Sequence, residues 1–237
     1  MSNAVYAAIT RQTGLTNELQ VVANNLANAS TTGYKADRAV FAEFLAGNGE
    51  DIEHISMGGL AGHQFDLEQG GLKFTGGQFD LAIQGDGFFV LDTPDGPRLT
   101  RAGHFQLSAE GRLVDAQGSP VLNPAGGALL IPQGVGDVSI AGDGTISANG
   151  RILGQVGIVQ PEGQLTRAGN TSFEAPEGFD PVEGARVVQG ALEQSNVSPV
   201  LEVARMIEVQ RAYEAGQSMM DTEDQRVSRF IETLRQL

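Results

Sequence analysis

VVANNLANASTTGYK, residues 21–35, passes in one short run from helix formers to asparagines, hydroxyls and a glycine. Upstream of it, residues 3 to 29 are rich in Ala, Leu, Gln and Val and contain no proline, which predicts a helix. Val5, Ala8, Gln12, Leu15, Leu19, Val22 and Leu26 are spaced alternately three and four apart, the seam of a coiled coil, with Ile9 widening it. Gly14 lies inside that helix and weakens it by about 1 kcal/mol relative to Ala. Asn24 and Asn25 disfavour a helix, so their place on it points to hydrogen bonds between helices. Gly33, able to take φ > 0, reads as the C-terminal stop, with Asn28, Ser30, Thr31 and Thr32 satisfying freed backbone groups or bonding a neighbour.

The other end of the chain repeats the pattern. Ser198 followed by Pro199 reads as N-cap and first helical position. A seam then runs through Val203, Met206, Gln210, Tyr213, Gln217, Met220, Asp224, Val227, Ile231 and Leu234, with Ile207 beside it. Its polar members predict a helix that docks specifically. Glu202, Arg205, Glu208 and Arg211 are spaced for ion pairs along the helix, most of them weak in water. Arg211 and Tyr213 are the expected subunit contacts, because these residue types supply much interface energy.

Between the helices the sequence changes character. From about Leu72 to Ala175 short runs such as FDLAIQG, GFFVLD, DVSIAG and ILGQVGIVQ alternate with Gly, Asp and Asn turns. This predicts an inserted antiparallel all-β domain, a sandwich or open barrel, within an α+β fold. LTRAG occurs at 99–103 and again at 165–169, each time followed by a Phe (Phe105, Phe173), and reads as two similar strand-to-turn corners. The expected organisation is therefore 1–35 plus 198–237 as a terminal coiled-coil assembly domain, 36–71 as an extended connector, 72–175 as the outer β domain and 176–197 as a return connector. Two apolar seams of unequal length cannot cover one another fully, so copies of the chain are the expected partners, in a contact that does not close.

Composition narrows the chemistry. The 237 residues carry a formal net charge of −14, which argues against a nucleic-acid partner. With no cysteine there is no disulfide and no thiolate chemistry. No apolar run reaches the ~18 residues of a membrane span, so no membrane insertion is expected. The start lacks a basic segment followed by an apolar one, so the expectation is a chain that stays inside the cell or leaves without a cleaved signal. His54, His63 and His104 fit no metal-ligand spacing, and GDGFF (85–89) and GDGTIS (142–147) read as hairpin turns, not calcium loops. No hydrolase elbow or phosphate loop is present, so no catalytic residue, metal or cofactor is assigned.

VVANNLANASTTGYKADRAVFAEF (21–44), DLAIQGDGFFVL (80–91), LTRAGHFQLSAEGRLVDAQGSPVL (99–122) and VVQGALEQSNVSPVLEVARMIEVQRAYEAGQSMM (187–220) together resemble the flagellar basal-body rod and hook proteins. The compact length and the wording of the first motif look most like the proximal-rod type, with the distal-rod type its near relative. The resemblance implies a non-enzymatic axial subunit of the basal-body rod, its helices packed around an export channel and its β domain outside. Its partners would be copies of itself, other rod proteins and the flagellar type III export apparatus. The implied assembly motif and interface comprise Leu15, Leu19, Val22, Asn24, Asn25, Leu26, Asn28, Thr31, Thr32, Gly33, Tyr34, Lys35, Asn196, Val203, Met206, Ile207, Gln210, Arg211, Tyr213 and Met220. The rival from another class is a periplasmic carbohydrate-binding or hydrolytic β domain with oligomerising helices. It needs stacking aromatics or converging carboxylates, and the absence of Trp weighs against it.

Overall fold

The computed structural model describes residues 3–46, 55–132, 134–182 and 184–235. It is α+β and mostly strand, and the chain divides into two compact units: residues 1–27, 37–65 and 198–237, and residues 28–36 and 66–197.

The first unit contains α1 (Asn3–Ala27), the strands β1 (Asp37–Ala46) and β2 (Ile55–Phe65), and α2 (Pro199–Arg235). The expected start of the last helix at Pro199 is where α2 begins, and the Glu202 N–H donates to the Ser198 carbonyl at 3.0 Å. The two helices run antiparallel. Gln12 Nε2 donates to the Tyr213 carbonyl at 3.0 Å, and six residues on, Glu18 Oε1 accepts from Arg205 Nη2 at 2.9 Å. Gly216 makes room here, since a Cβ on it would sit 3.0 Å from Gln12 Nε2. Residues 36–71, expected to be an extended connector, hold a true hairpin. β1 and β2 pair antiparallel from Asp37↔Phe65 to Ala46↔Ile55, with a bulge between Val40 and Phe41. Glycine-rich sequence and weak periodicity hid it, because a ladder needs only backbone groups in register.

The second unit is built on a six-stranded antiparallel sheet. In spatial order it runs β13 (Thr166–Arg167), β14 (Ser172–Glu174), β6 (Gly96–Thr100), β5 (Phe88–Thr93), β12 (Ile158–Pro161) and β15 (Phe179–Pro181). A three-stranded sheet joins β9 (Val138–Ile140), β10 (Thr145–Ala148) and β11 (Arg151–Gln155), and β7 (Gln106–Leu107) pairs with β8 (Leu113–Val114). β3 (Leu72–Phe74) pairs with β17 (Ala191–Glu193) and β4 (Leu81–Gln84) with β16 (Arg186–Gln189), so residues 176–197, expected as a return connector, also carry strands. Alternation places the core: Val138 and Ile140 point in while Ser139 points out. One cluster including Leu81, Ile83, Phe89, Leu113, Ile131 and Ile146 is the main core, with Phe89 and Phe105 meeting edge to face at 5.2 Å. A second, smaller cluster is separate from it and consists of Tyr34, Ala36 and Val197, with Ala29 against them.

Candidate functional site

The residues singled out by sequence fall into two groups, one in each unit. On α1 the expected seam is covered. Gln12 and Val22 are buried, and Ala8, Leu15, Leu19 and Leu26 are half-buried, while the side chain of Val5 lies outside the described residues. On α2 the covered face differs from the expected seam. Val209 is buried, and Glu202, Arg205, Met206, Ala212, Tyr213, Gly216 and Met220 are half-buried, whereas Val203, Gln210, Gln217, Asp224, Val227 and Ile231 are exposed. The rotation has a steric cause: Gly216 and the small Ala212 let α1 approach, and Arg205 reaches Glu18 from that side. Two apolar stretches are left uncovered. Val200, Val203 and Ile207 lie on the side of α2 away from α1, at 78%, 43% and 47% exposure. Val227 and Ile231 continue the covered face past the end of α1. Ile207, Gln210 and Arg211 are exposed on the same helix.

Asn25 is buried, and its main partner is a strand, not a helix. Its Oδ1 accepts from the Asp37 N–H at 2.9 Å, and its Nδ2 donates to the Asp37 carbonyl at 2.8 Å and weakly to Glu202 at 3.5 Å. The amide thus imitates a strand neighbour and fixes the start of β1. His63 Nδ1 lies 3.0 Å from the Asp37 carboxylate in the same unit. Asn24 is exposed.

The second group forms a knot at the margin of the β unit. α1 ends at Ala27, so Gly33 is not its terminal residue. Gly33 does have φ +68, but the demand comes from elsewhere: a Cβ there would overlap the backbone of Arg101 and Ala102. Its N–H donates to the Glu193 carbonyl at 2.8 Å. Thr31 Oγ1 donates to Asn28 Oδ1 at 3.0 Å, and Asn28 Oδ1 also accepts from Asn170 Nδ2 at 2.8 Å. Tyr34 and Lys35 are fully buried.

Lys35 and Glu193 form the centre of this knot. Lys35 Nζ donates to Glu193 Oε1 at 2.7 Å and to the carbonyl of Glu68 at 2.7 Å. Glu193 Oε2 accepts from Arg101 Nη1 at 3.1 Å, and Gly70 N–H donates to Oε1 at 3.1 Å. Burial is the largest influence on Lys35 and holds its pKa below the ordinary 10.5, against the opposing hydrogen bond and charge of Glu193. Asn196 then ties three chain segments: its Oδ1 accepts from the Ala36 N–H at 2.8 Å, and its Nδ2 donates to the Asp66 and Glu68 carbonyls at 2.8 and 3.1 Å. Sequence reasoning singled out Tyr34, Lys35 and Asn196 as assembly residues; here they bond within the chain, beside Arg101, Arg167 and Glu193, which it did not mark. The repeated LTRAG was the available signal for the two arginines; nothing local marks Glu193.

The rival carbohydrate reading needs a stacking surface. A groove of about 670 Å³ in the β unit is bordered by Thr31, Thr93, Arg98, His104, Asp115 and Ser172, among others, and neither Phe nor Tyr lines it. Among the described residues no three His, Cys, Asp or Glu gather as metal ligands, and no helix is long and apolar enough to cross a membrane.

Comparison with known proteins agrees with the order of the motifs. The model for "Flagella basal body rod protein" matches residues 5–35, that for "Flagellar hook protein FlgE/F/G D1 domain" residues 82–148, and that for "Flagellar basal body rod FlgEFG protein C-terminal" residues 188–233. The chain is 40% identical to the flagellar basal-body rod protein FlgF of Caulobacter vibrioides over 61% of its own length and 60% of the relative's. It is 35% identical to FlgF of Rhizobium meliloti over 61% and 59%, and 35% identical to FlgG of Bacillus subtilis over 61% and 60%. The match thus spans about 60% of these relatives, less than two thirds.

Proposed function

We propose that this chain, which belongs to the flagellar basal-body rod family and is most like its FlgF proteins, is a structural subunit of the rod. The family is structural, not enzymatic, and its rod members reside in the flagellar basal body. In this reading the terminal helices of many copies wind together as coiled coils into an axial tube around an export channel, with the β units outside. Torque then passes along the shaft through interlocked helices and hydrogen-bonded segments. Partners are copies of the same chain, the other proximal- and distal-rod proteins, and the type III export apparatus. The likeness to rod proteins favours this role over a carbohydrate-binding or hydrolytic one.

The observation that carries the reading is the uncovered apolar surface of α2. With 37 residues against the 25 of α1, the helix outruns its antiparallel partner and presents Val227 and Ile231, while Val200, Val203 and Ile207 face away from it. Completing the burial of these partly covered side chains against a second copy is favourable by roughly 1 kcal/mol each. The interface under this proposal includes Val203, Ile207, Gln210 and Arg211 on α2 and Asn24 on α1. A deletion strain complemented with the chain tests it. The parent chain restores basal bodies and swimming; a Val203→Glu, Ile207→Glu variant is produced in equal amount yet builds no rod. Rotating filaments in the uncomplemented deletion strain would leave the proposal without support.

A further inference from the structure

The two LTRAG copies are more than similar corners. β13, which carries the second copy, pairs with β14, and β14 pairs with β6, placing Phe173 opposite Leu99 and Ser172 opposite Thr100, so the two copies lie on one sheet with β14 between them. Both arginines then turn to the same short segment. Arg167 Nη2 donates to the Lys35 carbonyl at 2.6 Å, and its guanidinium lies over the Tyr34 ring at 4.6 Å and the Phe173 ring at 5.1 Å. Arg101 lies over Phe88 at 5.2 Å and holds Glu193, which in turn holds Lys35. Phe88 and Phe173 meet edge to face at 6.0 Å, so one continuous ladder of cations and rings runs from Arg101 to Tyr34.

We propose that Arg101 and Arg167 form a duplicated clamp on residues 33–35, and that residues 28–36 are a releasable strap that opens as a unit while the β core stays folded. Three observations support separate opening. Residues 28–36 belong to no strand, and no ladder holds them: their backbone is tied by single bonds, among them Gly33 N–H to Glu193, Asn196 N–H to Tyr34, Asp66 N–H to Ala36, Ala36 N–H to the Asn196 side chain and Arg167 to the Lys35 carbonyl. Their apolar cluster of Tyr34, Ala36 and Val197 is distinct from the main core, so it can part without exposing that core. Third, the closed state buries Lys35, Glu193 and Arg101, and leaves Arg101 Nε without a hydrogen-bond partner among the described residues. Opening returns these charges to water, which lowers its cost compared with an apolar strap of equal contact. Once released, residues 28–36 can extend to roughly 30 Å. The segment between α1 and β1 is then slack chain. The inference does not depend on the axial role.

The chain has two lysines, buried Lys35 and exposed Lys73 on β3, so a lysine-specific endoprotease reads the strap with an internal control. In native buffer the parent chain should be cut at Lys35 when the strap opens, and at Lys73 only when the β3–β17 pair parts, so Lys73 reports the strands independently. The Lys35 rate should rise with urea far less steeply than the unfolding of the β core, the mark of a small opening. Arg167→Ala should speed cleavage at Lys35 by at least about tenfold, since it removes a charge-assisted hydrogen bond and two ring contacts, and leave the Lys73 rate unchanged. Equal Lys35 rates in the parent and Arg167→Ala would overturn the clamp. In the parent chain alone, Lys35 cleavage that follows urea with the full slope of core unfolding would overturn the strap.

Discussion

Glu193→Gln is the sharpest single perturbation of this protein. The Glu193 carboxylate is 1% exposed and is shared by the buried cations Lys35 and Arg101, at 2.7 and 3.1 Å. Glutamine keeps the shape but removes the charge, and it has one acceptor oxygen for two cations and the Gly70 N–H. Breaking a buried pair by neutralising one partner costs about 3–5 kcal/mol, because the remaining charge stays desolvated. The lower half of that range fits this site, since Lys35 retains the Glu68 carbonyl and Arg101 Nη2 retains the Gly85 carbonyl at 2.9 Å. For a chain of this size, roughly 2–4 °C is lost per kcal/mol, so the transition should fall by about 6–15 °C. The loss should shrink as pH rises. Burial already lowers the Lys35 pKa, and removal of the Glu193 hydrogen bond lowers it further, so Lys35 sheds its charge more readily in mildly alkaline buffer and the penalty is relieved there. Urea and thermal unfolding followed by circular dichroism measure both effects, with a Lys35→Met, Arg101→Met, Glu193→Leu triple variant as control that should recover most of the loss. A Glu193→Gln chain less than about 1 kcal/mol weaker than the parent would refute the reasoning, because the three charges would then not be desolvated together.

Gly33→Ala should destabilise the β unit by about 2 kcal/mol or more in urea unfolding, from a φ of +68 and overlap with the Arg101–Ala102 backbone; an unchanged midpoint would deny the close approach. Gly216→Ala should change stability by no more than about 1 kcal/mol, because its gain in helix propensity is opposed where its Cβ would sit 3.0 Å from Gln12 Nε2, which the Tyr213 carbonyl holds, whereas Gly216→Leu should weaken helix pairing, seen as reduced helical ellipticity on warming. Glu162 is hydrogen-bonded to Asp180 and repelled by its charge, so its folded pKa is raised above the ordinary 4.5. The folded chain therefore holds that proton more tightly, and stability falls as pH rises through 4.5 to the raised value. Glu162→Gln should flatten that decline and raise the melting temperature near neutral pH, with no gain in acid; a gain that persists in acid would point to another cause.

Local sequence was sufficient for the two helices and the strands between 72 and 175, but not for the β1–β2 hairpin or β15 to β17, which lie in stretches expected as connectors. A proline-free, Ala- and Leu-rich start predicts α1, Ser198–Pro199 with the apolar seam beyond it predicts α2, and alternation as in Val138–Ile140 predicts inserted strands. These signals are short-ranged, because propensity, capping and periodicity act within a few residues. Which groups meet was decided by tertiary structure. Gly33 has its backbone angle for the sake of Arg101 and Ala102, and Asn25, expected to bond between helices, bonds mainly to Asp37 on β1 and only weakly, at 3.5 Å, to Glu202 on α2. The covered face of α2 runs through Val209 and Gly216, not Gln210 and Gln217, because a helix with apolar residues on several sides leaves the choice to the neighbour that packs closest. Glu193 lies in a three-residue strand with no local mark, and becomes the centre of a buried knot only when Lys35 and Arg101 are brought to it from distant parts of the chain. Periodicity tells a strand such as Val138–Ile140 which side to bury, whereas the covered face of a helix with apolar residues on several sides, desolvation of charge and close backbone approach depend on partners that only folding brings together.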